Sequence, residues 1–337
     1  MSAPGNNQLA KALQGGVPFV EDPWTALGAQ VSLTADEVLA QLQSWKEGGE
    51  LREISAVLEG AAFGYDSALV AGTVPAERLE EVAGIVGAHP TVTHNYERLH
   101  AFNLWFTIAV PRDMGLLPTL RILARQAGVD AFFPMERTHT FKIGVAFDLE
   151  SRTNETGKGA LSDIKPVEVG PRERALFRAL QTPLPLTPRP FAALTQALGL
   201  DEAELLAFAR EHQGHALRRY VGTFRHRKLG VKGNGMAVWN VPEERIPSVG
   251  EKLAAAPEVS HCYARNCIPG FPFALYSMIH GPDNDAVSVV AARLAAEVGV
   301  ADYAVLFSAR EFKKARLRYF LPELDTWWNA HRELAAA

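Results

Sequence analysis

The run from position 94 reads His94-Asn95-Tyr96-Glu97-Arg98-Leu99-His100. Alternation along an extended strand sends every second side chain to one face. It therefore predicts His94, Tyr96, Arg98 and His100 together: two imidazoles, a phenol and a guanidinium. Imidazole acts as a general acid near neutral pH or ligates iron, and a guanidinium holds a carboxylate through a planar fork. The run does not decide between those roles for the histidines. A second run, Ser260-His261-Cys262-Tyr263-Ala264-Arg265, repeats the imidazole, phenol and guanidinium. It has Asn266-Cys267 where the partner histidine would follow.

A third cluster is basic. Residues 216–236 hold Arg218, Arg219, Arg225, His226, Arg227, Lys228 and Lys232 and no acid. The whole chain has 34 Lys+Arg against 38 Asp+Glu, a net charge of −4, so this cluster is a local exception. One reading is a strand edge charged against aggregation. The sharper reading is a site for a multiply anionic ligand, with Gly233 and Gly235 forming a loop that lets backbone approach it. The aromatics Trp105, Phe106, Trp239 and Phe271 are candidates to line a flat ligand, although core packing is the commoner use of each alone.

The elements that must carry these groups come in two copies. A shift of 167 residues aligns Pro18, Pro23, Leu27, Leu33 and Glu37 with Pro185, Pro190, Leu194, Leu200 and Glu204. The same shift aligns Glu77-Arg78, His94, Tyr96 and Arg98 with Glu244-Arg245, His261, Tyr263 and Arg265. Four residues are then inserted around Ile268 to Phe271, after which a shift of 171 aligns Phe141-Lys142 with Phe312-Lys313. A period this long is a duplicated domain, not a solenoid. At 337 residues the length also fits about two domains at ~150 residues each.

Each copy opens with three short helical segments and a strand, the pattern of a winged helix-turn-helix. The remainder predicts a strand over 67–74, a helix over 75–87, strands from 92 and 103, a helix over 116–127 and a last strand over 141–147. That is βαββαβ, a ferredoxin-like unit with one open sheet face. The fold expected is α+β: two copies of helix-turn-helix plus ferredoxin-like domain, packed as an intramolecular pseudo-dimer. The boundaries expected are 1–60 and 61–150 for copy one, a polar linker over 151–171, then 172–224 and 225–337 for copy two.

Composition excludes several classes. Hydrophobic residues at 47% and charged residues at 21% suit a globular protein. No run approaches ~18 apolar residues, so no membrane span is expected, and the opening residues lack a signal-peptide core. The expected location is cytoplasmic. Cys262 and Cys267 are read as free thiols, and no metal site is expected. The third helices carry Asp36, Glu37 and Glu47 against Lys46, and Asp201, Glu202, Glu204 and Glu211 against Arg210. Phosphates would repel them, so a helical cap on the sheet domain is favoured over a DNA reader.

Three strings carry a family resemblance. They are His94-Asn-Tyr96-x-Arg98-x-His100-x-x-Asn103-Leu-Trp105-Phe106, then Arg225-His226-Arg227-Lys228-Leu-Gly-x-Lys232-x-Asn234-x-Met236-x-Val-Trp239, and Val259-Ser-His261-Cys262-Tyr263-x-Arg265 followed by Phe271-Pro-Phe273-x-Leu275-Tyr276-x-Met278-Ile-His280-Gly281. The chain resembles the siroheme decarboxylases over nearly both copies. That family shares its architecture with Lrp/AsnC-type regulators and usually has two different subunits, here joined as D- or A-type followed by L- or B-type. The resemblance implies loss of the C12 and C18 acetate carboxyl groups of siroheme, giving 12,18-didecarboxysiroheme toward heme d1 or heme. It implies no cofactor beyond the iron that the substrate carries, no nucleic-acid or membrane partner, and a monomer or a homodimer. On this reading His94 and His226 deliver protons with Tyr96 and His100 in support. Arg98, Arg218, Arg219, Arg225, Arg227, Lys232, Trp239, His261, Tyr263 and Arg265 bind substrate. Two departures stand out: Ala274 replaces a usual Asn, and copy one lacks the basic string, which leaves one complete site per pseudo-dimer. The rival reading is a regulator of the Lrp/AsnC type sensing a tetrapyrrole or amino acid.

Overall fold

A computed structural model describes residues 4–147, 154–157, 164–224 and 233–335. Copy one runs α1 (Pro4–Gly15), α2 (Pro23–Val31), α3 (Ala35–Glu47), β1 (Leu51–Leu58) and β2 (Tyr65–Gly72). It continues through α4 (Leu79–Ala88), β3 (His94–Arg98), β4 (Leu104–Pro111), α5 (Leu116–Ala127) and β5 (Phe133–Phe147). A short β6 (Asn154–Gly157) follows, within the segment expected as linker. Copy two repeats the order as α6 (Pro171–Gln181), α7 (Pro190–Leu198), α8 (Glu202–His212), β7 (Leu217–Phe224) and β8 (Gly233–Trp239). It ends with α9 (Ile246–Ala255), β9 (Val259–Arg265), β10 (Leu275–Gly281), α10 (Asn284–Val298), β11 (Tyr303–Lys314) and α11 (Pro322–His331). The expected α+β duplication is borne out.

The chain forms two compact units, and each contains parts of both copies. The helical unit holds both helix triplets with β1 and β7. Local chemistry starts its helices. Pro23 and Pro190 occupy first turns, where a missing N–H costs nothing. Thr34 and Glu37 form a capping box on α3, and Asp201 accepts from the Glu204 backbone N–H on α8. The acids of these third helices therefore serve as caps and ion pairs: Glu202 meets Arg189 and Glu204 meets Arg172. Trp24, Leu27, Val38 and Leu42 are buried in one triplet, and Phe191, Leu194, Leu205 and Ala209 in the other. The triplets join through antiparallel pairing of β1 with β7, with Ile54 opposite Gly222 and Ala56 opposite Tyr220.

The sheet unit is a closed ring. Its strand order is β2-β4-β3-β11-β8-β10-β9-β5, and β5 pairs back onto β2. The last strand of each copy is long because it serves both copies. Residues 133–136 of β5 lie opposite β2 of their own copy, and residues 137–143 lie opposite β9. Likewise residues 303–307 of β11 lie opposite β8, and residues 308–314 lie opposite β3. The sequence expectation began the last strand of copy one at 141 and so missed residues 133–140, the whole of its first half and the start of the exchanged one. Pro134 and the charged Glu136 and Arg137 hide the start of this strand, but Pro is tolerated where β5 needs no ladder donor.

Each face of the ring has its own core. On the outside, α4 and α5 bury Val82, Val86, Leu120 and Leu123 against Val70, Phe106 and Ile108. Also on the outside, over the copy-two strands, α9 and α10 bury Val249, Leu253, Ala291 and Leu294 against Trp239, Cys262 and Leu275. The repeated Arg78 and Arg245 play one structural role in both copies, since each donates to the last carbonyls of the neighbouring helix, Ala127 and Val298. The inner core holds Trp105, Met135, Met236, Val238, Tyr276 and Leu306. Phe271, delivered by the four-residue insertion of copy two, fills the same space and meets Trp105 and Phe102 edge-on.

Candidate functional site

Alternation on β3 sends Asn95 outward, where its amide donates to the Ala83 carbonyl of α4. His94, Tyr96 and Arg98 consequently face the inside of the ring. On β9, Cys262 and Ala264 belong to the helix-side core, so His261, Tyr263 and Arg265 also face inward. The two imidazole–phenol–guanidinium sets are thereby gathered into one unit by the strand exchange.

The arginines define the electrostatics. Arg98 is 7% exposed, donates from Nη1 to the Leu306 carbonyl at 2.5 Å, and lies 5.9 Å from the Tyr96 and Trp105 ring centres. Arg265 donates from Nη1 to the Met135 carbonyl at 2.7 Å and lies 5.5 Å from the Tyr263 ring and 5.6 Å from the Tyr276 ring. Met135 and Leu306 are repeat equivalents, so these are the same contact made twice. Both Nε groups are buried without a hydrogen-bond partner. Among the described residues no carboxylate pairs with Arg98, Arg265 or Arg137. Burial pushes both the Arg98 and the Arg265 guanidinium down to about 10. A buried cation without a counter-charge is costly, and an anionic ligand removes that cost.

Hydroxyls stand beside both histidines. Thr93 Oγ1 lies 3.1 Å and Thr107 Oγ1 3.4 Å from His94 Nδ1, and the two hydroxyls are 2.8 Å apart. In copy two, Ser260 Oγ lies 2.9 Å from His261 Nδ1 and 2.7 Å from His280 Nε2, so one hydroxyl bridges two imidazoles. Burial pushes His261 down to about 4, with His280 and Lys142 adding repulsion, and it is neutral at pH 7.

A cavity of about 160 Å³ opens between Ser67, Leu69, Thr93 and Thr107 on one side and Arg137, Tyr263 and Arg265 on the other. Among the described residues no acidic side chain lines it. Whole-ligand pockets hold ~300–1,000 Å³, so this cavity is too small to enclose a large ligand entirely.

Several expectations need correction. His100 does not share the strand face, because β3 ends at Arg98 and His100 sits in the following bend. There its Nδ1 accepts the Phe102 backbone N–H at 3.0 Å, its ring lies 5.3 Å from that of Phe271, and burial lowers its pKa. Gly233 and Gly235 are not a ligand loop. They belong to β8, where a Cβ on Gly233 would meet the Asp283 carbonyl oxygen at 2.1 Å and one on Gly235 the Val287 side chain at 2.7 Å. These glycines admit α10. Trp239 is fully buried on the helix side, donating to Ser277 Oγ at 3.0 Å and stacked on Tyr303, so it offers no ligand wall. Trp105, Phe106 and Phe271 are each 1% exposed and likewise act as core. Arg218 and Arg219 lie on β7 of the helical unit, and Arg218 faces Glu59 at 3.4 Å. Arg225, His226, Arg227, Lys228 and Lys232 lie outside the described residues. Cys262 is buried and Cys267 exposed, both as free thiols.

Four residues were missed. Arg137 had no signal, since its repeat equivalent is Ser308. Ser260 and Thr93 did have one: each copy places a hydroxyl residue immediately before its histidine. His280 stands in one of the family strings, but only the β9–β10 pairing brings it to Ser260.

Comparisons with known proteins agree with this architecture. Residues 62–142 and 228–313 match the AsnC-like ligand binding domain, and residues 6–52 and 173–214 match the siroheme decarboxylase NirDL-like HTH domain. The chain is 36% identical over 329 residues to a siroheme decarboxylase of Hydrogenobacter thermophilus, covering 96% of this chain and 97% of that one. It is 33% identical over 311 residues to the siroheme decarboxylase NirDL subunit of Paracoccus denitrificans, covering 91% and 94%. The crystal structure of siroheme decarboxylase NirDL in co-complex with an iron-uroporphyrin III analogue superposes with a TM-score of 0.78 at 31% identity, covering 98% of this chain and 99% of that one.

Proposed function

The chain belongs to the siroheme decarboxylase family, and on that footing we propose that it removes the C12 and C18 acetate carboxyl groups of siroheme to give 12,18-didecarboxysiroheme. The observation that carries this reading is the pair of inward guanidiniums, Arg98 and Arg265, neither of which pairs with a carboxylate among the described residues, in a ring that also holds His94 and His261. A substrate with eight carboxylates is the charge complement of such a site. The joining of both halves in one chain favours the heme d1 branch.

In each decarboxylation the bond between the acetate methylene and its carboxylate breaks. Its electron pair enters the macrocycle, and protonation of the macrocycle supplies the sink. The methylene then takes a proton to become a methyl group as the macrocycle gives up the proton it had accepted, which restores its conjugation. Each CO₂ is replaced by one proton and no electrons are exchanged, so the chemistry calls for no redox cofactor. His94 is assigned proton delivery, its Nδ1 held by Thr93 and Thr107. Tyr96 supports it from 6.1 Å, ring centre to ring centre. His226 shares proton delivery, and Arg225, Arg227 and Lys232 anchor carboxylates, on the strength of their string alone. Arg98 and Arg265 anchor others, Tyr263 presents its ring to Arg265, and neutral His261 fits a binding role better than proton donation. His100 is a support by its place in the motif, whereas Arg218, which faces Glu59, and Arg219 beside it on β7 are assigned no anchoring role.

On this reading the segments 1–60 and 172–224 are structural, 61–150 and 225–337 carry the chemistry, and 151–171 connects them. The substrate is the partner, neither nucleic acid nor membrane is engaged, and the enzyme works in the cytoplasm as a monomer or homodimer. Among the described residues no helix is long and apolar enough to cross a membrane. Anaerobic incubation with siroheme followed by mass measurement tests the activity. The expected result is loss of two CO₂ per siroheme; unchanged siroheme overturns the proposal.

A further inference from the structure

We propose that Arg137, together with Arg265 and Tyr263, forms a subsite that grips one carboxylate the reaction retains and so sets the register of the macrocycle. This rests on the siroheme reading above and names a residue and a pocket within it. The Arg137 guanidinium lies 5.6 Å and that of Arg265 5.5 Å from the centre of the Tyr263 ring. Two like charges sharing one ring repel, and among the described residues no acid stands between them. An anion in the cavity that both line relieves the repulsion and the desolvation of Arg265 together. The cavity volume of about 160 Å³ suits a carboxyl-bearing arm and little more.

Chemistry decides which arm. Losing CO₂ converts a carboxylate into a neutral molecule, so two guanidiniums clamped on the leaving group stabilise the starting state and oppose the reaction. The pocket therefore takes a carboxylate that stays. Its position is directed, because Thr93 and Thr107 line the same cavity and hold His94 Nδ1. An arm fixed there presents a neighbouring part of the macrocycle to His94. The subsite exists in one half only. Arg98 keeps the backbone contact that Arg265 makes, but Ser308 stands at the repeat position of Arg137, directly opposite Arg98.

The test uses full-length protein as wild type, Arg137→Ala, Arg137→Lys and Arg98→Ala. Iron-uroporphyrin III, which keeps all its carboxylates, is titrated by absorbance, and siroheme turnover is followed anaerobically. Arg137→Ala is expected to bind roughly 10- to 100-fold more weakly, the effect of one lost charged contact, and to raise KM similarly. Its kcat at saturating siroheme falls by less than its KM rises, and Arg137→Lys recovers part of the affinity. Because Arg137 is exposed, the fold tolerates the change. Unchanged affinity in Arg137→Ala beside weakened Arg98→Ala overturns the subsite and leaves the siroheme reading standing. A collapse of kcat with KM unchanged also overturns it, since Arg137 then acts on the reacting carboxylate. If wild type neither binds nor decarboxylates, the underlying reading fails and the subsite with it.

Discussion

Replacing Arg98 with Met separates function from stability. Burial lowers the Arg98 guanidinium from its ordinary value to about 10, which at ~1.4 kcal/mol per pH unit corresponds to about 3 kcal/mol of unfavourable desolvation in the free protein. Methionine fills much of the same space without charge. It loses one charged hydrogen bond, that to the Leu306 carbonyl, worth ~1.5–3 kcal/mol. The two nearly cancel, so Arg98→Met is expected to be as stable as wild type or up to about 2 kcal/mol more stable. Binding behaves oppositely. The carboxylate that meets Arg98 loses its partner, and affinity for siroheme falls by ~1.5–3 kcal/mol, about 10- to 150-fold. Urea denaturation gives the first quantity and anaerobic titration with siroheme the second. A variant destabilised by more than about 2 kcal/mol that still binds siroheme normally would refute the reasoning, because Arg98 would then be a structural residue.

His94→Ala is expected to lower siroheme turnover by ~10²–10⁴ while titration still detects binding; near-normal turnover removes the proton-delivery role. Gly235→Ala drives a methyl into Val287 and Val305, within 2.7 and 2.8 Å, and is expected to destabilise the protein by ~1–3 kcal/mol in thermal or urea unfolding. A neutral result would mean that β8 and α10 are not packed as described. Acid weakens the fold in a definite window. Burial holds His89 down to about 3 and His261 to about 4, against 6.5 in the unfolded chain. Below pH 6.5 the unfolded state takes up the protons first, so stability present at pH 7 falls as pH drops, by about 2 kcal/mol for each group at pH 5. Urea midpoints that do not move between pH 7 and pH 5 would contradict this.

The residue pattern alone determined the duplication, because a shared register over two half-chains survives without any knowledge of contacts. It also determined the helix starts, since Pro23, Thr34 and Asp201 act on backbone groups within a few residues. The alternation of His94, Tyr96 and Arg98 was equally local. Alternation, however, names two faces without saying which is inside. Trp239 and Trp105 are both strand tryptophans, yet one packs under α9 and α10 and the other fills the ring. Gly233 and Gly235 read as a loop until α10 lies against them.

What only the tertiary structure decided depends on pairing between distant segments. The second half of β5 leaves its own copy for β9, and that of β11 leaves for β3. This exchange carries Arg137 to Arg265 and Tyr263 and closes the ring around both arginine sets. Pairing of β9 with β10 likewise turns His261 and His280 into neighbours across Ser260. Periodicity within a segment is set by backbone geometry and is written in the residues themselves. The choice of which strand edge another strand joins is set by the burial gained when two open sheet faces meet, and that energy belongs to the assembled fold.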